Sequence, residues 1–194
     1  MKKTLLSLIL TAALILCALC ICSCDASDTG DMAGSVFSDD SEMKYYNDCY
    51  FKIDGIDGEA KDSKHEKWIN VLDFEMGSEY ETETFESSFD PFVFVHKVDA
   101  ATPGIQSDCM KGSHIKSGTL EVCRPIGGKQ EVIYKATLED LRIISAQISK
   151  DQAGNLIETV SITADKITWR VVPINIDNTI GGAVEDCYSV KNRQ

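Results

Sequence analysis

From Cys49 onward, apolar and polar residues alternate with a period of two, the signature of strands that bury one face. Cys49, Phe51 and Ile53 alternate with Tyr50, Lys52 and Asp54, and Gly55 and Gly58 then mark a turn. Between Trp68 and Met76 the apolar positions are first Ile69 and Val71, then Leu72, Phe74 and Met76. Such a change of phase inside one strand predicts a β-bulge or a barrel bend. Phe92-Val93-Phe94-Val95 is an unbroken apolar run, as a buried strand requires. Leu120 and Val122 lead into the turn cluster Arg124-Pro125-Ile126-Gly127-Gly128, and Val132, Tyr134, Ala136 and Leu138 follow, which predicts a hairpin. Further strands are expected over 141–148, 160–164, 167–171 and 184–190.

One segment has a different character. Thr102 is a good N-cap residue, Pro103 suits the first helical position, and Gly112 supplies a stop, so a helix is expected over 103–111. Ile105, Cys109 and Met110 fall near one face of it. The composite is a mainly β domain of eight or nine short strands with one short α-helix. A closed barrel or a sandwich is expected, because closure disposes of exposed strand edges.

The first 23 residues behave unlike the body. Lys2 and Lys3 precede an apolar stretch from Leu5 to Ile21, and acidic sequence begins at Asp25. This is the pattern of an export signal. Ile21-Cys22-Ser23-Cys24 has the form of a lipoprotein processing site, which makes Cys24 the expected lipid attachment residue and new N-terminus. Cys17, Cys20 and Cys22 would leave with the leader. Residues 24–47 carry Asp25, Asp28, Asp31, Asp39, Asp40 and Glu42 against the single base Lys44, so they are expected to form a solvated acidic tether. The folded domain is then 48–194.

Charge narrows the function classes. The formal net charge is −12, which opposes non-specific binding to nucleic acid, since phosphate is repelled. No catalytic constellation is visible. His65, His96 and His114 do not stand at metal-ligand spacing, and Asp54, Asp57 and Glu59 lack the order of a calcium loop. Gly127-Gly128-Lys129 lacks the remaining residues of a phosphate loop, and no nucleophile elbow occurs. No metal and no cofactor is therefore expected, and the histidines are read as surface or structural groups.

The ordered residues of the body resemble one family. Tyr50-Phe51-Lys52-Ile53-Asp54-Gly55-Ile56-Asp57-Gly58-Glu59, then Lys64-His65 and Ile69-Asn70-Val71-Leu72, resemble the opening of the haemolysin-coregulated protein (Hcp) family, the tube subunit of type VI secretion systems. Lys111-Gly112-Ser113-His114-Ile115, Thr119-Leu120-Glu121-Val122, Gly127-Gly128-Lys129-Gln130, Leu138-Glu139-Asp140 and Glu158-Thr159-Val160-Ser161-Ile162 continue the match in order. The resemblance spans about 49–192. It implies a β-barrel of two sheets with one flanking helix, subunits that form hexameric rings, stacking of rings into a hollow tube, and carriage of small effectors. It implies no enzyme activity.

Three features depart from the family pattern: the export leader, the acidic tether, and a segment between Gly77 and Phe89 that is shorter than the extended loop used for contacts between rings. Two functions follow. One is a ring-forming tube subunit or effector carrier, exported as a membrane-anchored lipoprotein or secreted, with itself, secretion components or small effectors as partners. The other is a monomeric, lipid-anchored extracytoplasmic binding module that keeps the barrel without the tube.

Export also bears on Cys49, Cys109, Cys123 and Cys187, because disulfides persist outside the cytoplasm. Cys109 shares a helix face with Ile105, so a buried thiol is expected there. Cys123 follows the phase of Thr119 and Glu121 and is expected to be accessible. Cys49 and Cys187 lie on the first and last strands, which can be neighbours in a closed barrel, so Cys49–Cys187 is the expected bridge. Four unpaired thiols packed as small apolar groups are the alternative.

Overall fold

The computed structural model describes residues 47–83 and 86–189. The leader, Cys24 and all but the last residue of the tether lie outside the described residues. Nine strands and one helix follow in order: β1 (Asp48–Ile53), β2 (Ile69–Glu75), β3 (Ser78–Glu81), β4 (Glu86–Phe89), β5 (Phe92–Lys97), α1 (Thr102–Lys111), β6 (Ile115–Ile126), β7 (Lys129–Lys150), β8 (Leu156–Val171) and β9 (Val184–Ser189). Among the described residues no helix is long and apolar enough to cross a membrane.

Seven strands form one antiparallel sheet in the order β5-β2-β1-β6-β7-β8-β9, and β5 also pairs with β8. That pairing closes six strands into a barrel and leaves β9 as an overhang. β3 and β4 form a separate two-stranded sheet. The expected mainly β barrel with two sheets and one short helix is thus present, six strands of the larger sheet forming the barrel and the small hairpin forming the second sheet.

Strand β8 makes this possible. One edge pairs with β7 along its whole length. The other edge serves β5 over Ile157–Ile162 and then β9 over Lys166–Val171. The separate short strands expected over 141–148, 160–164 and 167–171 are parts of these two long, bent strands.

The phase change in β2 is a real irregularity, since the register with β5 shifts between Val71 and Asp73. Leu72 is left exposed there. The predicted hairpin is β6–β7. Ile126 faces Lys129 across a two-residue turn in which Gly127 (φ 58°) and Gly128 (φ 78°) both take the left-handed conformation that this tight connection demands.

Inward residues of the six barrel strands make one core. Phe51, Phe92 and Phe94 pack at its centre with ring centroids 5.0–5.7 Å apart. Ile53, Ile69, Leu120, Leu138, Leu141, Val160, Ile162 and Ile167 surround them.

Helix α1 extends from Thr102 to Lys111, one residue earlier than expected, with Ala101 at the N-cap and no side-chain cap bond from it. Asp99 does the local work instead: the Ala101 N–H donates to its carboxylate (2.9 Å) and the Thr102 N–H to its carbonyl (3.2 Å). Gly112 ends the helix at φ 61°, as its position predicts. Ile105 is buried and Cys109 partly so, while Met110 points away into solvent.

The bridge expected between Cys49 and Cys187 does not form, and all four body cysteines are free thiols. Cys49 lies between Val71 of β2 and Val122 of β6, whereas Cys187 faces Thr168 of β8. The seam of the barrel is β5–β8, so the first and last strands are not neighbours.

Residues 57–68 form a strap over the outer face of β1 and β6, held by backbone bonds from Gly58 to Lys67 (2.8 Å), Ala60 to Trp68 (2.9 Å) and Lys67 to Ala60 (3.0 Å). A Cβ on Gly58 would lie 2.5 Å from the Trp68 carbonyl oxygen, which is backbone and cannot swing aside. Gly58→Ala is therefore expected to destabilise the domain by about 1–3 kcal/mol, the usual scale for a forced overlap. Urea unfolding monitored by tryptophan fluorescence measures it, and unchanged stability would contradict this account of the strap.

Candidate functional site

The barrel interior is filled by side chains, so a site must lie at a mouth, under the strap or on the outer surface. Among the described residues two polar clusters are largely buried and one titratable cluster is mostly exposed.

The first buried cluster closes one mouth. His96 of β5 and Glu158 of β8 are direct cross-strand partners on the closing seam, and both are 0% exposed. His96 Nε2 is 2.9 Å from Glu158 Oε2, and its other nitrogen is 3.6 Å from Asp99. Helix α1 lies over the pair. Gln106 donates its side-chain amide to Glu158 Oε1 and to the carbonyl of Ala146 on β7. Burial alone would raise the Glu158 pKa. The hydrogen bonds from His96, Gln106 and Thr102, with the charge of His96, outweigh it and hold the carboxyl below its ordinary value. The pair ties β5, β8 and α1 together.

The second cluster lies under the strap. His65 is 1% exposed and stacks on Tyr50 at 4.2 Å, with Trp68 edge-on at 4.9 Å. Its Nδ1 is 2.6 Å from Asp62 and its Nε2 is 2.9 Å from Glu121, which also accepts from Lys135 at 2.9 Å. Burial would raise the Glu121 pKa, but Lys135 and His65 more than offset it and the net direction is down. Asp62 is likewise lowered, chiefly by its hydrogen bond with His65.

Cys123 lies 3.9 Å from His65 Nε2. Cysteine, histidine and Asp62 thus meet in an order that superficially matches a nucleophilic triad. The chemistry does not follow. Cys123 is 1% exposed, and burial, followed by the charges of Glu121 and Asp62, pushes its thiol up to about 12. A nucleophile needs the thiolate, and Glu121 already occupies the nitrogen that would accept the proton. The expectation that Cys123 is accessible is corrected here. Its phase is that of Thr119 and Glu121, but Tyr50, Ala60, Trp68 and Val132 cover that face.

The exposed cluster joins His114, Asp140 and Asp165, whose ligand-type atoms lie within 4.8 Å of one another. On the outer surface a groove of about 370 Å³ separates the β3–β4 hairpin from β9, with Tyr80, Phe89, Trp169 and Tyr188 in its walls. Phe89 packs edge-on against Trp169 (5.7 Å) and Tyr188 (5.4 Å), which fastens the hairpin to the barrel.

Of the residues singled out in the sequence, Cys49 and Cys187 are described and lie apart, and Cys24 is outside the described residues. His96, Glu158 and the Glu121–Lys135 pair were not singled out as a site. Their partners stand far away in sequence and only closure of the sheet brings them together.

The described residues form a closed antiparallel barrel filled by its own side chains, with one helix packed against it. The family described as "Type VI secretion system effector, Hcp" matches residues 50–171, and the chain belongs to that family. It is a non-enzymatic protein of the kind that type VI systems secrete or build into tubes. The crystal structure of Hcp1 from Salmonella typhimurium is similar at 28% identity and TM-score 0.65, over 76% of this chain and 97% of that one. A structure described as a type six secretion system protein is similar at 25% identity and TM-score 0.69, over 77% and 99%. Hcp2 from Salmonella typhimurium follows at 26% identity and TM-score 0.59, over 76% and 98%. No curated protein matches the chain.

The His96–Glu158 pair gives a stability prediction. Glu158→Ala leaves the fully buried imidazole with no hydrogen-bond partner at Nε2 and is expected to cost about 3–5 kcal/mol. Because the folded carboxyl is lowered from 4.5, its stabilisation is complete above that pH and is lost as pH falls through the folded value. Thermal melts of the parent between pH 7 and about 3 should show this loss. A Glu158→Gln variant should show a flatter profile, and identical profiles would remove Glu158 from the account.

Proposed function

We propose that this chain is a ring-forming subunit or effector carrier of a type VI secretion system, exported as a lipoprotein through Cys24. The observation that carries the first half is the match of the family over 50–171 to a domain whose closed barrel leaves few strand edges free. The second half rests on Ile21-Cys22-Ser23-Cys24 and the acidic residues that follow. In this reading residues 24–47 tether the barrel to a membrane, and the partners are further copies of the chain and small effector cargo.

A second reading has a specific observation in its favour. The β3–β4 hairpin occupies the segment that is short for the family, and Phe89 packs it against Trp169 and Tyr188 of the same chain. A hairpin committed to its own barrel is less available to a neighbouring ring. On this view the protein is a monomeric, lipid-anchored binding module.

Mass decides between them. Native mass spectrometry and negative-stain microscopy of the purified protein at high micromolar concentration are expected to show rings of six subunits. A single-subunit mass under those conditions rejects the ring and favours the binding module.

Lipidation has its own test. Cys24→Ala should abolish incorporation of a labelled fatty acid and leave the longer, unprocessed chain. Undiminished labelling of that variant would overturn the assignment of Cys24.

A further inference from the structure

We propose that His114, Asp140 and Asp165 form a site for a first-row divalent metal ion at the corner of the barrel. The side chains come from three separate segments, and one imidazole with two carboxylates is a donor set suited to such ions.

The corner explains the convergence. Along β6, β7 and β8 the register passes from Ser117↔Glu139↔Lys166 to Ile115↔Leu141↔Ala164. Lys116, Asp140 and Asp165 are the row skipped in all three strands. Asp140 takes the left-handed conformation there, at φ 55°. Leu138 and Leu141, three residues apart, both face the core, so the inward-outward alternation breaks at this row while the register across the three strands is unchanged. Asp165 also marks the place where β8 exchanges β5 for β9 as its edge partner. Two carboxylates thus stand in the same row of adjacent strands, close enough to share one cation.

The third donor is fixed by the end of helix α1. The Gly112 N–H donates to Cys109 and the Ser113 N–H to Asp108, while the Ser113 hydroxyl bonds the Asp108 carboxylate at 2.9 Å. These bonds set the chain direction into His114, whose Nε2 is 3.5 Å from Asp140 Oδ1. Donor atoms held about 2.1 Å from a common ion lie roughly 3.0–3.5 Å apart, so this pair already has nearly the required separation. The 4.8 Å limit of the cluster leaves a shorter adjustment, open to the exposed Asp140 side chain. One Asp165 carboxylate oxygen is withdrawn from solvent, which anchors the inner side of the site. Three protein donors leave positions for water. Lys116, in the same row, is the cation with which a metal must compete.

Manganese(II) is the probe, because electron paramagnetic resonance separates bound from free ion and water-proton relaxation reports the open positions. The full chain is expected to bind one Mn²⁺ with slow-tumbling, water-bearing character. His114→Ala, Asp140→Asn and Asp165→Asn should each weaken binding at least tenfold, whereas Asp54→Asn, an exposed acid in the turn after β1, should not. His114 and Asp140 are exposed, so those two variants keep the fold and decide the matter if Asp165→Asn does not. Equal binding by the parent and these variants, or no binding below millimolar Mn²⁺, overturns the site.

Discussion

The pairing of β5 with β8 is the constraint on which the rest of the domain depends. It converts a sheet with two open edges into a barrel and gives Phe92 and Phe94 an enclosed space shared with Phe51. It also places His96 directly opposite Glu158 at the mouth of that space. A buried ionic pair adds little net stability compared with apolar residues of the same size, but it is costly to break by halves. Its effect here is geometric. Only one register of β5 against β8 satisfies both groups, and only one placement of α1 lets Gln106 reach Glu158 and the Ala146 carbonyl together. Closure, register and helix position are therefore coupled through one carboxylate.

The strap over β1 and β6 repeats the device on the outside of the barrel. His65 inserts between Asp62 of its own loop and Glu121 of the sheet, and its ring fills the space between Tyr50 and Trp68. Both ring nitrogens are thus engaged by carboxylates, one from the loop and one from the sheet. Lys135 donates to the other oxygen of the Glu121 carboxylate. The result is a satellite core containing Cys123 and Ala60, separated from the barrel core by the sheet itself.

Local structure was legible in the sequence wherever one short segment determined it. The switch from Val71 to Leu72 announced the β2 irregularity. Gly127-Gly128 announced the β6–β7 turn, and Pro103 with Gly112 announced the helix. The family resemblance added the barrel, and the matched residues bear it out. What stayed hidden was non-local. Cys123 has the alternation of an outward residue, and nothing near it shows that a segment sixty residues earlier will cover it. Glu158 reads as a solvated strand position until closure sets it against His96. The Cys49–Cys187 bridge failed on the same ground, because the position of the seam follows from how β8 divides its edge between β5 and β9. The helix start was misplaced by one residue because Asp99, upstream of the expected cap, supplies the bonds.

The long strands carry a further consequence. Strand β8 changes its edge partner from β5 to β9 between Ile162 and Lys166, and Lys116, Asp140 and Asp165 form a row skipped in the pairing register across β6, β7 and β8 in that stretch. The inward positions on either side are apolar, so the row left out of the ladder is where polar side chains can stand without disturbing the core. Leu138, Leu141 and Ile167 are buried beneath this row and pack into the core. With the interior filled by its own side chains, chemistry or recognition that distinguishes one member of this fold from another must be written on its surfaces.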